Sequence, residues 1–499
     1  LRGEGHELPL TKIVVDDNTI RVLRSQGYTL DSIPEKGKKV WLKSTANLST
    51  GGVAIDVTDN IHPEIEIMAR RIAELLSMDI CGIDVIALDL SKPLRESGAK
   101  VIEVNAAPGL RMHLYPYRGK PRPVGDAIVS MLFPPSSKYR IPIIAITGTN
   151  GKTTTVRLVA HILRLAGNNV GFTTTEGIYI NGTRIVKGDC TGPWSTQVLL
   201  RDPTIDIAVL EIARGGMLRE GLAFDECDVG TIINVSEDHL GEYGVWDVEE
   251  IARIKGLIYD VVSENGYGIV NADDPLVLKQ QDRIRGEKVM VSMYGENEIF
   301  REHVESGGIG VTTLGKMIVI YDDRKMIPVV NYYDVPLTFD GLAEFNLQNA
   351  LFATAIAYVM GVPVHIIING LLSFAPTPSM NPGRCNLLRV RDGYVIVDYA
   401  HNPKALNFVG RFINRFARRE GLQEKVAVVS FPGNRPNILI RKNAKELAKF
   451  FDKFIVKEDR NKRGRKAGEM AELIKTYLIE EGVKEDRIFT ILDLSLIHI

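Results

Sequence analysis

The segment 143–155, Ile-Ile-Ala-Ile-Thr-Gly-Thr-Asn-Gly-Lys-Thr-Thr-Thr, constrains this chain more than any other. An apolar run ends in a glycine-rich turn, and a helix-like stretch, 153–166, follows at once. Glycines at such a turn let backbone N–H groups face inward around an anion, and the following helix adds its positive end. Lys152 supplies a point charge for outer phosphates, and the hydroxyl of Thr153 or Thr154 can ligate Mg²⁺. Gly148, Thr149, Asn150, Gly151, Lys152, Thr153 and Thr154 are therefore expected to cradle a nucleoside triphosphate. One position departs from the G-x-x-x-x-G-K-[ST] pattern: Ile146 stands where the first glycine is usual.

A buried strand feeding a phosphate loop needs neighbours. Apolar runs at 205–212, 229–235 and 267–271, separated by helical or loop segments, predict a parallel sheet covered by helices. At 499 residues the chain is too long for one core. The connector Phe133-Pro-Pro-Ser-Ser-Lys-Tyr-Arg140 and the loop Ala375-Pro-Thr-Pro-Ser-Met-Asn-Pro-Gly383 divide it into 1–139, 140–375 and 376–499. The first part shows strand-like runs at 40–43, 85–90 and 100–104 and a helix pattern at 64–77. The third has its own alternation: a strand at 394–398, a helix from Lys404, a strand at 426–430, a helix from Asn437 and a strand at 454–456. The expected class is α/β.

Composition closes off other functions. A net charge of −1 argues against a nucleic-acid partner, which wants a basic excess. No apolar run reaches membrane-spanning length, and no basic-then-apolar leader opens the chain. Cys81, Cys190, Cys227 and Cys385 are far apart and suit a reducing cytoplasm rather than a disulfide framework or zinc site. The start at Leu1 reads as an internal piece of a longer protein. The closing Leu494-Ser-Leu-Ile-His-Ile499 breaks the expected helical continuation and reads as a truncation scar or foreign sequence.

Thr147-Gly-Thr-Asn-Gly-Lys-Thr-Thr154 resembles the nucleotide loop of the Mur ligase family, which joins a carboxylate to an amine using ATP. Further matches follow in that family's order. Glu211, ending an apolar run, resembles its Mg²⁺-binding glutamate. Asn234-Val-Ser-Glu-Asp-His239-Leu resembles the segment whose histidine holds magnesium. Lys255, in the helix pattern 248–259, falls where many members carry a carbamylated lysine that helps fix a second Mg²⁺. The resemblance makes Lys152, Glu211, His239 and Lys255 the catalytic set. It assigns Thr153, Glu211, His239 and Lys255 to metal. Asn271-Ala-Asp-Asp274 resembles the adenosine-binding turn, and Asn346-Leu-Gln-Asn349 the nucleotide-side helix. Gly383-Arg384 and Asp398-Tyr-Ala-His401 resemble third-domain motifs. Asn271, Asp274, Asn346, Asn349, Arg384, Asp398 and His401 are all expected at the nucleotide.

Residues 1–139 resemble the C-terminal part of an ATP-grasp domain through Gly82-Ile-Asp84-Val and Val101-Ile-Glu103-Val-Asn105. Strand alternation puts Glu103 and Asn105 on one face, as ligands of one Mg²⁺ cluster with Asp84 would need. An ATP-grasp segment joined to a Mur-ligase-like module resembles the cyanophycin synthetase family, through Ala46-Asn-Leu-Ser-Thr-Gly-Gly52 and Glu211-Ile-Ala-Arg-Gly-Gly-Met-Leu-Arg219. The resemblance implies a partial ATP-grasp α+β domain, a central P-loop α/β domain and a smaller Rossmann-like α/β domain. It also implies synthesis of multi-L-arginyl-poly-L-aspartate on a cyanophycin primer, with L-aspartate added at the first site and L-arginine at the second. ATP and Mg²⁺ are the implied cofactors, and a homo-oligomer, dimer or tetramer, the implied assembly. With its lid lysines lying upstream, the first site is expected to be incomplete. Phe431-Pro-Gly-Asn-Arg-Pro-Asn437 departs from the family's G-D-R-R-D, and the basic loop 459–465 is expected to be solvated. Alternatives are a relative joining ready-made β-aspartyl-arginine dipeptides with a structural Mur-like half, a Mur- or folate-type ligase, and a non-catalytic ATP-binding module.

Overall fold

The computed structural model describes residues 2–3, 10–45, 47–135, 139–238, 241–459 and 461–492. They form two compact units, Leu1–Tyr139 and Arg140–Ile499. Among the described residues no helix is long and apolar enough to cross a membrane.

The first unit is built on short elements. Helix Asp17–Ser25 starts in a capping box, Asp16 accepting from the Thr19 N–H while the Thr19 side chain accepts from the Asp16 N–H. Helix Pro63–Leu75 has proline in its first turn and is capped by His62. Strands Gly82–Ile86 and Lys100–Asn105 form an antiparallel hairpin with Asp84 opposite Glu103. The run 40–43, expected as a strand, is not one. Both backbone groups of Trp41 bond the Gln26 side chain, 2.9 Å and 2.8 Å, instead of a neighbouring strand. The run 85–90 stops early, because Asp89 turns the chain by accepting from the Ser91 N–H.

The second unit centres on one eleven-stranded sheet. Seven strands run parallel, in the order Ile309–Leu314, Glu287–Val291, Val262–Asn271, Cys227–Ile232, Ile143–Thr147, Ile207–Glu211 and Val170–Thr174. Antiparallel strands finish each end: Met317–Asp322 and Lys325–Asn331 on one side, Gly177–Ile180 and Thr183–Lys187 on the other. The outermost strand on the first side carries Pro328, opposite Val319. Strand Ile143–Thr147 is buried on both faces, as its unbroken apolar run requires. Ile144 and Ile146 pack beneath helices Lys152–Leu165, Glu344–Val359 and Val364–Ser373, while Ile143 and Ala145 enter the core on the opposite face. The helix expected at 248–259 divides at Gly256 into Val248–Lys255 and Leu257–Asp260.

Beyond the loop at 375–383, hairpin Asn386–Val390/Gly393–Val397 leads to a three-stranded parallel sheet, Val426–Val429, Lys453–Val456 and Ile488–Thr490. Helices Asn437–Ala448 and Glu469–Glu480 bury Ile440, Ala444, Ile474 and Leu478 into its core. Helix Pro403–Arg419 instead turns Phe412 and Phe416 towards Ala343 and Cys385. Ion pairs from Arg415 to Glu344, 2.7 Å, and Arg419 to Asp340, 2.6 Å, flank that contact. The mostly parallel α/β class read from the apolar runs is what this unit adopts. Residues 494–499 lie outside the described residues.

Candidate functional site

The glycine-rich loop owes its shape to two residues with positive φ, Gly148 at 157° and Gly151 at 89°. Gly151 caps the helix Lys152–Leu165 at positive φ, and a Cβ there would sit 2.2 Å from Asn349 Oδ1, so a larger residue would displace the Asn349 side chain. Asn234 clamps the loop from the side. Its Oδ1 accepts from the Asn150 N–H at 2.9 Å, its Nδ2 donates to the Asn150 carbonyl at 3.2 Å, and its carbonyl accepts from the Thr149 N–H at 2.9 Å. The Asn402 amide donates to Asn150 Oδ1 at 2.9 Å, tying in the chain beyond residue 383.

Charge gathers at the helix start. Thr153 donates its hydroxyl to Glu211 at 2.8 Å, and the Thr175 N–H donates to the same oxygen at 3.3 Å. Glu211 is buried at the end of its strand, and burial pushes its carboxyl above the ordinary range against the charges of Lys152 and Arg384. Lys152 folds back on the loop, donating to the Gly148 and Thr149 carbonyls at 3.1 Å each. Lys255 is buried too and donates to the same Gly148 carbonyl at 2.8 Å. Burial first, then the charge of Lys152, drives its ammonium well below the usual lysine value. Arg384 reaches in from the later chain, donating to the hydroxyls of Thr153 and Thr175 at 3.2 Å each, with its guanidinium 4.8 Å from the Tyr399 ring centroid.

All of these side chains but that of Lys255 line a cleft of about 150 Å³, walled by Thr149 to Thr154, Glu211, Asn346, Asn349, Arg384, Asp398 and His401. A neighbouring cleft of about 420 Å³ shares Asn234, Phe345, Gln348 and Phe408 and adds Asn271, Asp274, Tyr294 and Lys404. Several expected contact residues also hold their own surroundings. Asn271 donates to the Ile233 carbonyl at 2.7 Å, and Asp274 accepts from the Val235 N–H at 2.8 Å and caps the turn at Leu276. Asn346 donates to the Leu337 carbonyl, and Asn349 donates to Asn346 Oδ1. Asp398 accepts from the Cys385 and Ala400 N–H groups. His401 Nε2 lies 3.4 Å from Asp238. His239 lies outside the described residues. Thr153 and Glu211 form a hydroxyl–carboxylate pair of the kind Mg²⁺ takes, at the mouth of the loop.

In the first unit Asp84, Glu103 and Asn105 are exposed on one side of the hairpin, and Asn105 donates to Glu103 at 3.3 Å. Among the described residues no group of three or more His, Cys, Asp or Glu side chains is arranged to hold a metal.

Residues that motif reading passed over also shape the site. Thr175 and Glu176 occupy the turn between strands Val170–Thr174 and Gly177–Ile180, and Arg157 lies buried on helix Lys152–Leu165 beside Glu176. The available signals were an arginine inside the apolar run 156–163 and the hydroxyl-rich Thr173-Thr-Thr-Glu176 closing a strand. The basic loop is not simply solvated: Arg465 donates to the Gly433 and Arg435 carbonyls, at 2.8 Å and 2.9 Å, and to Asn437. It thereby braces the departing segment 431–437.

Comparison with known proteins agrees with this architecture. Residues 146–357 match the model of the Mur ligase middle domain, and residues 16–115 that of the RimK-like ATP-grasp domain. The chain is 45% identical over 485 residues to cyanophycin synthetase of Crocosphaera subtropica, covering 97% of this chain and 55% of that protein. It is 45% identical to cyanophycin synthetase of Synechocystis sp., covering 96% of this chain and 54% of the relative. The chain thus spans about half the length of the curated relatives it matches. Among solved structures, Mycobacterium tuberculosis folylpolyglutamate synthase, complexed with ADP and AMPPCP, superposes with a TM-score of 0.51 at 19% identity. That match covers 74% of this chain and 85% of the other, and it shows a shared fold. Over nearly its whole length, then, this chain is a homologue of the cyanophycin synthetases, joining a RimK-like ATP-grasp segment to a Mur ligase middle domain.

Proposed function

We propose that the chain is the ATP-dependent carboxylate–amine ligase part of an enzyme that makes cyanophycin. The carrying observation is the buried Glu211–Thr153 pair at the mouth of a glycine loop that also presents Lys152 and Arg384. In this reading residues 140–375 bind ATP, 376–499 close over it, and 1–139 are the C-terminal part of an ATP-grasp domain. The first cleft takes the phosphates and the second, larger cleft the adenosine, between Asn271, Asp274 and the ring of Phe345.

A side-chain carboxylate of the polymer attacks the γ-phosphorus of ATP, the bond to the bridging oxygen breaks, and ADP leaves. The amine of L-arginine then attacks the acyl phosphate carbonyl, and phosphate departs. Bringing anion to anion requires cationic charge, which Lys152, Arg384 and the helix N-terminus supply. Mg²⁺, held by Thr153, Glu211, His239 and a carbamylated Lys255, would neutralise charge on the outer phosphates. Burial suits Lys255 to that modification, because only a neutral amine adds to carbon dioxide. Asn349, itself bonded to Asn346, accepts from the Thr155 hydroxyl and so ties down the phosphate helix Lys152–Leu165, and Asp398 and His401 line the cleft. Asp84, Glu103 and Asn105 would serve the metal of the aspartate-adding site. Substrates are ATP, L-aspartate, L-arginine and a cyanophycin primer, handled by a cytoplasmic homo-oligomer.

The test is phosphate release by the full-length enzyme with Mg-ATP and a polyaspartate-based primer, with arginine, aspartate, lysine or ornithine added separately. Arginine-stimulated release that Lys152→Ala alone removes is the expected result. Release stimulated only by a β-aspartyl-arginine dipeptide, and indifferent to Lys152→Ala, would make the P-loop half structural.

A further inference from the structure

Arg157 is a guanidinium inside an apolar core. Its side chain is 5% exposed, on the face of the phosphate helix that packs with Val156 and Ala160. A buried charge in such surroundings is costly unless paired and hydrogen-bonded. The two outer nitrogens of Arg157 are bound, while its buried Nε has no hydrogen-bond partner among the described residues. Its Nη2 donates to Glu176 and to the Tyr179 hydroxyl at 2.7 Å each, and its guanidinium lies 4.6 Å from the Tyr179 ring centroid and 5.6 Å from that of Phe172. Its Nη1 points to the Met380 carbonyl at 3.5 Å, on the loop that carries Arg384.

A hairpin staple would need no more than this. Yet the other carboxylate oxygen of Glu176 faces Arg384 at 4.0 Å, and the same Arg384 nitrogen contacts Thr153 and Thr175. One carboxylate is thus shared between two guanidiniums, leaving a net positive charge that Tyr399 and the two threonines aim at the helix start.

We propose that Glu176 and Arg157 are positioning residues that hold the Arg384 guanidinium over Thr153, so that this arginine distinguishes a nucleoside triphosphate from a diphosphate. The inference rests on the reading of the cleft as a nucleotide site. Arg157 anchors the carboxylate to the phosphate helix, Glu176 restrains Arg384, and Arg384 meets the terminal phosphate. Lys152 and the loop N–H groups serve the phosphates common to both nucleotides.

The test is calorimetric titration of the full chain, in Mg²⁺, with ADP and with the imido analogue of ATP. Arg384→Ala should weaken the triphosphate analogue about tenfold, the scale of one charge-assisted hydrogen bond, and leave ADP within about twofold. Glu176→Gln should do the same, and the Glu176→Gln/Arg384→Ala double variant should be no weaker than Arg384→Ala. Glu176→Gln weakening both nucleotides alike, or the two losses multiplying, would show a staple and overturn the relay. Should Glu176→Gln fail to fold, Tyr179→Phe, which removes one hydroxyl contact to Arg157, enters the same cycle with an expected loss of about threefold for the triphosphate only. Equal losses for both nucleotides there would equally sink the relay. Wild type binding neither nucleotide removes the nucleotide reading itself, and the relay with it. Wild-type affinities in Glu176→Gln remove the relay alone.

Discussion

At the scale of single residues the site is built from groups placed where they are costly. Glu211 is almost fully buried, and its carboxylate accepts from one hydroxyl and one N–H. Glu211→Gln keeps the shape and removes the desolvated charge. It is expected to raise the melting temperature of the nucleotide-free chain by about 2 °C while lowering Mg-nucleotide affinity more than about tenfold. Calorimetry of the same sample with and without nucleotide checks both signs. Gly151→Ala is expected to fail differently, because a Cβ would meet Asn349 and the backbone is left-handed. A loss of about 1–3 kcal/mol in stability should accompany loss of nucleotide binding, read by denaturant titration. Gly151 was legible from the local loop spacing, whereas Glu211 was singled out only by its resemblance to a family glutamate. Arg157, Glu176 and Arg384 were not legible as a group. Their meeting depends on a hairpin turn and a distant loop arriving at one helix end, which no spacing along the chain encodes.

Elements repeat the contrast. Strand Ile143–Thr147 and helix Lys152–Leu165 could be read because burial on both faces writes an unbroken apolar run and a glycine turn punctuates it. The strands between 287 and 331 went unread: Glu287–Val291 and Ile309–Leu314 extend the parallel set, and the two antiparallel strands after them are joined by turns at Gly315 and at Asp323-Arg324. Helix Glu298–Glu305 belongs to this region, and its His303 is half-buried against Ile309, whose carbonyl it contacts at 3.0 Å. Burial, helped by the charge of Lys288, holds the His303 imidazole below 6.5 despite that carbonyl. The unfolded chain therefore takes up this proton more readily than the folded one. Stability should be full above pH 6.5 and decline as pH falls through the folded value. His303→Asn should lower stability at pH 7.5 yet show a smaller further drop at pH 5.5, measured by thermal melts at the two pH values.

At the scale of the molecule, residues 376–499 are held to the sheet-bearing part by the helix Pro403–Arg419. Phe412 is 1% exposed between Phe339, Phe345 and Phe416. Phe412→Ala is expected to cost about 3–5 kcal/mol at that contact. It should expose the loop at 375–383 to limited proteolysis before either flanking region melts. Sequence showed where that loop lies but not that an aromatic cluster spans it, because Phe339 and Phe412 are far apart in the chain. The eleven-stranded sheet has a consequence for assembly. Open sheet edges recruit further chains by backbone pairing, and this sheet ends on one side in a strand interrupted by Pro328 and on the other in a mostly exposed strand bearing Arg184 and Lys187. Both rims therefore resist strand addition. Copies of this chain that associate would not do so through the rims of this sheet, which stays a closed body in each copy rather than a link in a continuous ribbon.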